Sequence, residues 1–191
     1  MKYESFKLLD KISFVRTGGS SEELQAAEIL KSECISLGVD AHIESFKVDG
    51  YKEIKAELKF IDPDFSVECV AVGMSSSTPE EGITGEFTYV TSLADATIQD
   101  IKGKVCLVHA KLVNVKLYKK LVEKGAAALV LCCGDVYRDK DDVDLDPYML
   151  RNRHYDNGKI PSVCIRMKDA EAVLRQKPAK AHIVMIEEEL Q

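Results

Sequence analysis

The sequence predicts an α+β fold in which short strands outnumber helices. After Gly50, seven strand-like apolar runs follow one another, and turn residues such as proline and glycine separate most of them. Only two helical patterns interrupt these runs, at about 113–124 and 168–176. Before Gly50, the pattern is instead two helices and one alternating segment. This change predicts two domains, 1–50 and 51–191.

A capping pattern marks the longer helix of the first predicted domain. Ser20 and Glu23 form a capping box, in which the serine oxygen accepts a backbone N–H and the glutamate reaches back. The helix extends to about Leu37, because Gly38 stands where a left-handed residue ends a helix. Apolar residues at helical spacing predict one buried face, made of Leu24, Ala27, Leu30, Cys34 and Leu37.

Two shorter elements flank this helix. Residues 3–14 predict a short amphipathic helix that ends before paired glycines. Residues 39–48 alternate between apolar and polar side chains, which predicts a strand. The alternation changes phase near Glu44 or Ser45, and this indicates a bulge.

Residues 103–133 predict a strand, an amphipathic helix and a second strand. Such a unit binds nucleotides when a glycine-rich turn lets backbone N–H groups approach a phosphate. Here the turn reads HAKLVNV and contains no glycine. The unit is therefore interpreted as a packed layer, with Leu117, Leu121 and Val122 of the helix facing the sheet.

Composition excludes several classes of protein. The formal net charge of −6 does not fit a nucleic-acid partner, which requires clustered lysine and arginine. No run approaches the roughly 18 apolar residues of a membrane span, and the first residues lack the apolar core of a secretory signal. The six cysteines show no CxxC spacing, so we expect reduced thiols and a cytoplasmic protein.

Three motifs of the second predicted domain resemble the protease-associated (PA) domain. These markers are Gly103-Lys104 before an apolar strand, Gly125-Ala126 before the next strand, and Ile160-Pro161 before a later one. The resemblance implies a strand-rich PA-type domain, a β-sandwich or open barrel with flanking helices. The HAKL turn departs from the family, which often has Arg-Gly there.

The preceding residues 15–48 resemble the opening of di-zinc aminopeptidases related to glutamate carboxypeptidase and the transferrin receptor. In that family an R-x-x-G-S turn, a helix ending in LG and a strand precede an inserted PA domain. The resemblance implies that residues 1–50 are the N-terminal segment of an aminopeptidase domain. It also implies that the zinc ligands lie after the insert, in a catalytic domain missing from this chain.

The candidate metal ligands that match the family's His-x-Asp motif are His154 and Asp156. The family site uses His-x-Asp after an apolar strand, a Glu-Glu pair and further Asp and His ligands. Here the triplet lies in a polar segment before Ile160-Pro161, and Glu187–Glu189 lie near the end of the chain. No complete ligand set can be assembled from these residues. We therefore predict no catalytic, metal or cofactor-binding residue in this chain, with His154 and Asp156 as the alternative.

The remaining candidates also favour structural interpretations. We expect His42 and His182 on strands and His109 at the end of a buried strand. The apolar run before Cys133 predicts a buried, inert thiol. The segment VGMSSST lacks the second glycine of a nucleophile elbow and is interpreted as a polar loop.

Two hypotheses of function follow. In the first, the chain is the non-catalytic N-terminal and PA portion of a zinc aminopeptidase, which shapes substrate access or mediates protein contacts. Its partners would be the missing peptidase domain, peptide substrates and a second copy of the chain, with no nucleic acid and no membrane. The alternative is a free-standing metal- or small-ligand-binding α/β hydrolase that uses His154 and Asp156.

Overall fold

A computed structural model describes residues 5–109, 114–135, 138–145 and 148–190. The HAKLVNV turn, which was interpreted as unable to bind a phosphate, lies largely outside these ranges. The helices are α1 (Ser5–Ile12), α2 (Ser21–Ser36), α3 (Leu93–Ile98), α4 (Val115–Glu123) and α5 (Met167–Gln176), with a 3-10 turn at Asn152–His154. The strands are β1 (Gly50–Ile61), β2 (Phe65–Val67), β3 (Val70–Gly73), β4 (Ile83–Val90), β5 (Val105–His109), β6 (Ala128–Cys132), β7 (Tyr148–Met149), β8 (Ser162–Ile165) and β9 (Lys180–Leu190).

The chain divides into two compact units. Unit 1 is Met1–Gly50 with Leu190–Gln191, and unit 2 is Tyr51–Glu189. Unit 1 contains α1 and α2, whereas unit 2 contains the other helices and nearly all strand residues. None of the helices in the described ranges is long and apolar enough to cross a bilayer.

Nine strands form one mixed sheet in the order β2-β1-β9-β4-β5-β6-β8-β3-β7. Its centre is parallel, because β4, β5, β6 and β8 pair in that order in the same direction. The outer strands β3 and β9 pair antiparallel with β8 and β4. Five helices accompany this sheet in the described chain, which confirms the predicted strand-rich α+β class.

Both faces of the central strands are buried. Val105 and Leu107 of β5 belong to one core cluster, and the alternate residues Cys106 and Val108 belong to the other. The first cluster includes residues of β1, β9 and α5, and the second includes residues of α3 and α4. Burial on both faces explains why these strands are continuous apolar runs instead of alternating ones.

Helix α4 covers the second cluster, as the sequence predicted in part. Leu117 and Leu121 are buried, but Val122 is only partly buried. The third fully covered side chain is Tyr118, which the helical pattern did not single out. Lys119 of the same helix is half-buried and pairs with Asp156.

The predicted caps of α2 are present. Glu23 N–H donates to Ser20 Oγ over 3.2 Å, while the Glu23 carboxylate accepts from Gly19 N–H over 2.6 Å. The glutamate therefore reaches one residue further back than a standard capping box. Gly38 has φ +80°, and the N–H groups of Gly38 and Val39 donate to Ile35 and Cys34 carbonyls in a Schellman motif.

Two predictions in unit 1 are wrong. The predicted face of α2 is not buried, since Leu24, Leu30 and Leu37 are exposed and the buried residue is Ala26. Residues 39–48 form no strand. The reason is shared: a helix face and a strand both need a neighbouring element, and no described strand pairs with this segment.

In unit 2 the pattern analysis missed α3. This six-residue helix is too short for a helical period to be visible in the sequence. Its cap was a usable signal, because Ser92 Oγ accepts from Asp95 N–H over 3.1 Å.

Candidate functional site

The first two markers lie side by side. Gly103 N–H donates to the Gly125 carbonyl over 2.8 Å, and Ala127 N–H donates to the Lys104 carbonyl over 2.8 Å. Both glycines have positive φ, +71° and +73°. A side chain at neighbouring Gly85 would approach the Gly103 carbonyl to 2.7 Å. These residues therefore hold the beginnings of β5 and β6 together, which is a structural role.

The third marker, Ile160-Pro161, is held by buried hydroxyl groups. Tyr118 Oη accepts from Ile160 N–H over 2.9 Å, and Ser75 Oγ accepts from Ser162 N–H over 3.2 Å. Ser162 Oγ in turn donates to the Ile160 carbonyl over 2.7 Å. We call Tyr118, Ser75 and Ser162 the marker clamp. All three side chains are fully buried, so each hydrogen bond satisfies groups that water does not reach.

The turn after β3 brings strained backbone next to this clamp. Met74 and Ser76 have φ values of +63° and +150°, in the region that favours glycine. Gly73 cannot carry a side chain there, because a Cβ would lie 2.1 Å from the Tyr51 ring. The Glu187 carboxylate holds the turn, since its Oε2 accepts from Met74 N–H over 2.9 Å.

Glu187 combines this hydrogen bond with a desolvated oxygen. Its Oε1 is buried and, among the described residues, has no hydrogen-bond partner. Burial raises the pKa of Glu187, while the Met74 N–H and the charge of Lys159 lower that pKa in part. Lys159 itself pairs with Glu189 and lies 4.8 Å from the centre of the Tyr155 ring. The carboxyl group is thus held in a partly buried polar cluster.

Burial keeps the phenol of the marker clamp and several thiols protonated. Burial raises the pKa of Tyr118 to about 12, so its phenol stays neutral near pH 7. Burial likewise raises the pKa values of the Cys69, Cys106 and Cys132 thiols to about 12. Thiols with such pKa values are poor nucleophiles at neutral pH.

The structure gives His154 and Asp156 different partners. Arg151 N–H donates to His154 Nδ1 over 3.1 Å within the 3-10 turn. The buried imidazole also packs edge-on against Tyr118, with ring centres 6.2 Å apart. Asp156 instead pairs with Lys119, its Oδ2 lying 2.5 Å from Nζ. The two end residues of the His-x-Asp motif therefore make different contacts.

The other acidic candidates make contacts of their own. Glu187 holds the turn after β3, Glu189 pairs with Lys159, and Glu188 is exposed. Within the described ranges, no three His, Cys, Asp or Glu side chains are grouped so that they could hold a metal ion. The described residues of this chain do not fit a pair of zinc ions.

The remaining histidines have different surroundings. His42 is exposed beside Glu44, with Nε2 3.1 Å from the carboxylate, and it is not on a strand as expected. His182 lies on β9, with Nδ1 2.8 Å from Thr84 Oγ1. His109 ends β5 as predicted, and its side chain lies outside the described part of the chain.

Sequence reasoning missed Tyr118 and Ser75, and it considered Glu187 only as a possible metal ligand. One signal for Glu187 was available: Ile183 and Met185 share its parity on β9 and are buried, so a glutamate follows at an inward-facing position. A serine within a loop and a tyrosine within a helix give no comparable signal. Their role depends on hydrogen bonds to residues far away in the sequence.

Comparisons with known proteins extend the predicted resemblance. No protein-family model matches the chain. Carboxypeptidase Q from Bos taurus is 26% identical over 191 residues, which is 96% of this chain and 40% of that protein. A peptidase M28 precursor from Shewanella amazonensis matches in structure with a TM-score of 0.70 and 19% identity, over 97% of this chain and 46% of its own. A zinc aminopeptidase from Bacillus subtilis matches with a TM-score of 0.69 and 19% identity, over 95% and 42%.

These matches agree with each other in their extent. They cover nearly all of this chain, whereas the chain spans about two fifths of the length of the curated relatives that it matches. The structural matches show a shared fold across the same span. The chain is therefore similar in sequence to part of carboxypeptidase Q and shares its fold with part of these two peptidases, in agreement with the resemblance that the order of its motifs predicted.

Proposed function

We propose that this chain is the non-catalytic N-terminal and PA portion of a zinc aminopeptidase. In this proposal unit 2 is the PA domain and unit 1 is the first segment of the peptidase domain. The PA domain contributes by shaping the access of peptide substrates and by protein contacts. The zinc ions and the reaction belong to a catalytic portion outside these residues, and the cytoplasm is the proposed compartment.

The observation that carries the proposal is the extent of the matches. A chain that aligns over 96% of its own length but 40% of a carboxypeptidase Q corresponds to a part of such an enzyme. The contacts of the three markers also support the PA assignment, since these motifs are distant in sequence and all make hydrogen bonds beside β6 and α4.

The surface of unit 1 supports the proposed partner. Leu24, Ile35 and Leu37 of the α2 region each expose more than half of their surface. An open groove of about 390 Å³ lies between α1 and α2, and most of the residues that line it are polar or charged. The three exposed apolar side chains indicate a contact site. We propose that the remainder of the peptidase domain covers it, and that a second copy of the chain does so when that remainder is missing.

A peptidase assay tests the proposed lack of catalysis. The purified chain is incubated with zinc and with p-nitroanilides of several amino acids, and release of p-nitroaniline is followed. We expect no turnover above the rate of buffer with zinc. Turnover that a chelator abolishes, and that the His154→Ala variant lacks, would support the alternative hydrolase instead.

The gene sequence after Gln191 tests the proposed origin of the chain. We expect an apolar strand that ends in His-x-Asp, followed by a Glu-Glu pair. A stop codon or an unrelated domain there would contradict the proposal that this chain is part of an aminopeptidase.

The hydrolase alternative receives no support from the geometry. It requires His154 and Asp156 to face a common ligand, whereas Arg151 and Lys119 contact them separately.

A further inference from the structure

Two thiols of the parallel sheet lie in contact. The Sγ atoms of Cys133 and Cys164 are 3.7 Å apart. Cys164 belongs to β8, and Cys133 directly follows the last residue of β6. All six cysteines are reduced in this structure. The contact therefore places two thiols within reach of each other across neighbouring strands.

The sheet register explains why Cys133 reaches this position. Leu131 pairs with Cys164 between β6 and β8, and Cys133 has the same parity as Leu131. Side chains of equal parity point to the same face of a sheet. Cys132 faces the opposite core cluster, where its Sγ lies 3.7 Å from the Val108 carbonyl. Of the two adjacent cysteines, only Cys133 can therefore approach Cys164.

We propose that Cys133 and Cys164 form an oxidisable dithiol that a hydroperoxide converts into a reversible disulfide. The Cys133 thiolate attacks the O–O bond of the hydroperoxide, which gives a sulfenic acid and an alcohol or water. The Cys164 sulfur then attacks the Cys133 sulfur and releases a water molecule. In total the two thiols lose two protons and two electrons, and one hydroperoxide is reduced.

The surroundings assign the first step to Cys133. It is only partly buried, whereas Cys164 is fully buried in the second core cluster. A hydroperoxide dissolved in water therefore reaches Cys133 first. Cys106 and Cys132 are fully buried, so a hydroperoxide reaches them less readily than it reaches Cys133.

The backbone near Cys133 permits the bond to close. A disulfide is about 2.05 Å long, so the two sulfurs must approach by about 1.7 Å. Cys133 lies beyond the last residue of β6 and is followed by Gly134. Moving a residue outside a hydrogen-bonded ladder costs less free energy than moving one within it. Cys164 stays in its strand, and Cys133 makes the movement.

Oxidation would link the end of β6 to β8. The bond closes the segment between them, which carries the 3-10 turn and the Ile160-Pro161 marker. We therefore expect the oxidised chain to open less readily in this segment. This inference is independent of the proposed peptidase function, because it involves neither zinc nor peptide substrates. Transient disulfides of this kind are compatible with a cytoplasmic protein.

Peptide mapping of the oxidised chain tests the inference. The native chain is treated with hydrogen peroxide, alkylated without reduction, digested and analysed by mass spectrometry. We expect one intramolecular cross-link, between the peptides of Cys133 and Cys164, which dithiothreitol reverses. The thiol count of the denatured chain should fall from six to four.

Variants and a denatured sample provide the controls. Cys132→Ser is the matched control and should keep the cross-link, whereas Cys133→Ser and Cys164→Ser should lose it. Oxidation in denaturant should give a mixture of pairs, which shows that the fold directs the native one. The wild-type map remains decisive if a variant fails to fold. Oxidation of Cys133 without a link to Cys164, or a predominant link to any other cysteine, would overturn the inference.

Discussion

The two compact units of this chain differ in how they bury apolar side chains. In unit 2, the central strands are covered on both faces, and strands β1, β3 and β9 and helices α3, α4 and α5 add further fully buried residues. In unit 1, Ala26 is the one buried residue among the described side chains, and Phe6 is 80% exposed. Both units contain helices with side-chain N-caps. The difference teaches that local signals define helices, whereas burial requires a neighbouring layer.

The largest expected effect is the difference in the free energy of unfolding between a leucine variant of unit 2 and a leucine variant of unit 1. Leu107→Ala removes a fully buried side chain of unit 2, and we expect the free energy of unfolding to fall by about 2–5 kcal/mol. Leu24→Ala removes a side chain that is 54% exposed in unit 1, and we expect a change within about 0.5 kcal/mol. Urea denaturation followed by circular dichroism measures both. Equal losses would show that unit 1 buries more than this structure indicates.

A smaller effect tests the polar part of the unit 2 core. Tyr118→Phe leaves the buried Ile160 N–H without its acceptor, and we expect a loss of about 1–3 kcal/mol. Tyr155→Phe is the matched control, since its hydroxyl bonds Asn152 near the surface. The comparison between the two variants uses the same denaturation experiment. A loss for Tyr155→Phe as large as that for Tyr118→Phe would contradict the clamp.

The next prediction concerns the caps of unit 1. Ser20→Ala removes the oxygen that accepts from Glu23 N–H, and we expect α2 to lose about 1 kcal/mol of local stability. Hydrogen exchange should be faster for the α2 amides and unchanged for those of β5 and β6. Ser21→Ala, one residue later, is the control and should leave exchange nearly unchanged. Faster exchange in β5 after Ser20→Ala would indicate that the two units unfold together.

The smallest effect is the pH dependence of Glu187, within unit 2. Burial raises its folded pKa above the usual 4.5, so this group contributes stability that is present below about pH 4.5 and lost as pH rises through the folded pKa. We therefore expect Glu187→Gln to gain stability relative to wild type as pH rises from 4 to 7, as measured by thermal unfolding.

Asp95 provides the control of opposite sign. Hydrogen bonds from Thr91 and Gln99 lower its pKa below 3.8, so its contribution is present above that pH and lost as pH falls through the folded pKa. Asp95→Asn should therefore lose stability relative to wild type as pH rises from below its folded pKa. A common direction for both variants would contradict the difference in burial that separates these carboxylates.

Much of unit 2 was predictable because its signals are local or repeated. Gly103 and Gly125 mark turns that only certain backbones adopt, and the apolar runs mark strands buried on both faces. The error at residues 39–48 has the opposite cause, since alternation shows that a strand is compatible with the sequence but not that a partner strand exists. The candidate site was less predictable. His154 and Asp156 are two residues apart in the sequence, yet His154 contacts Arg151 whereas Asp156 contacts Lys119.

The sequence by itself determined the buried central strands of unit 2, the caps of α2 and the positions of the three markers. These depend on backbone preferences and on periodicity, which neighbouring residues fix. Only the tertiary structure decided that Tyr118 and Ser75 clamp Ile160-Pro161, that Glu187 holds a strained turn, and that Cys133 meets Cys164. Those contacts join residues far apart in the chain, and their geometry is set by strand order and register, which the sequence pattern does not encode locally.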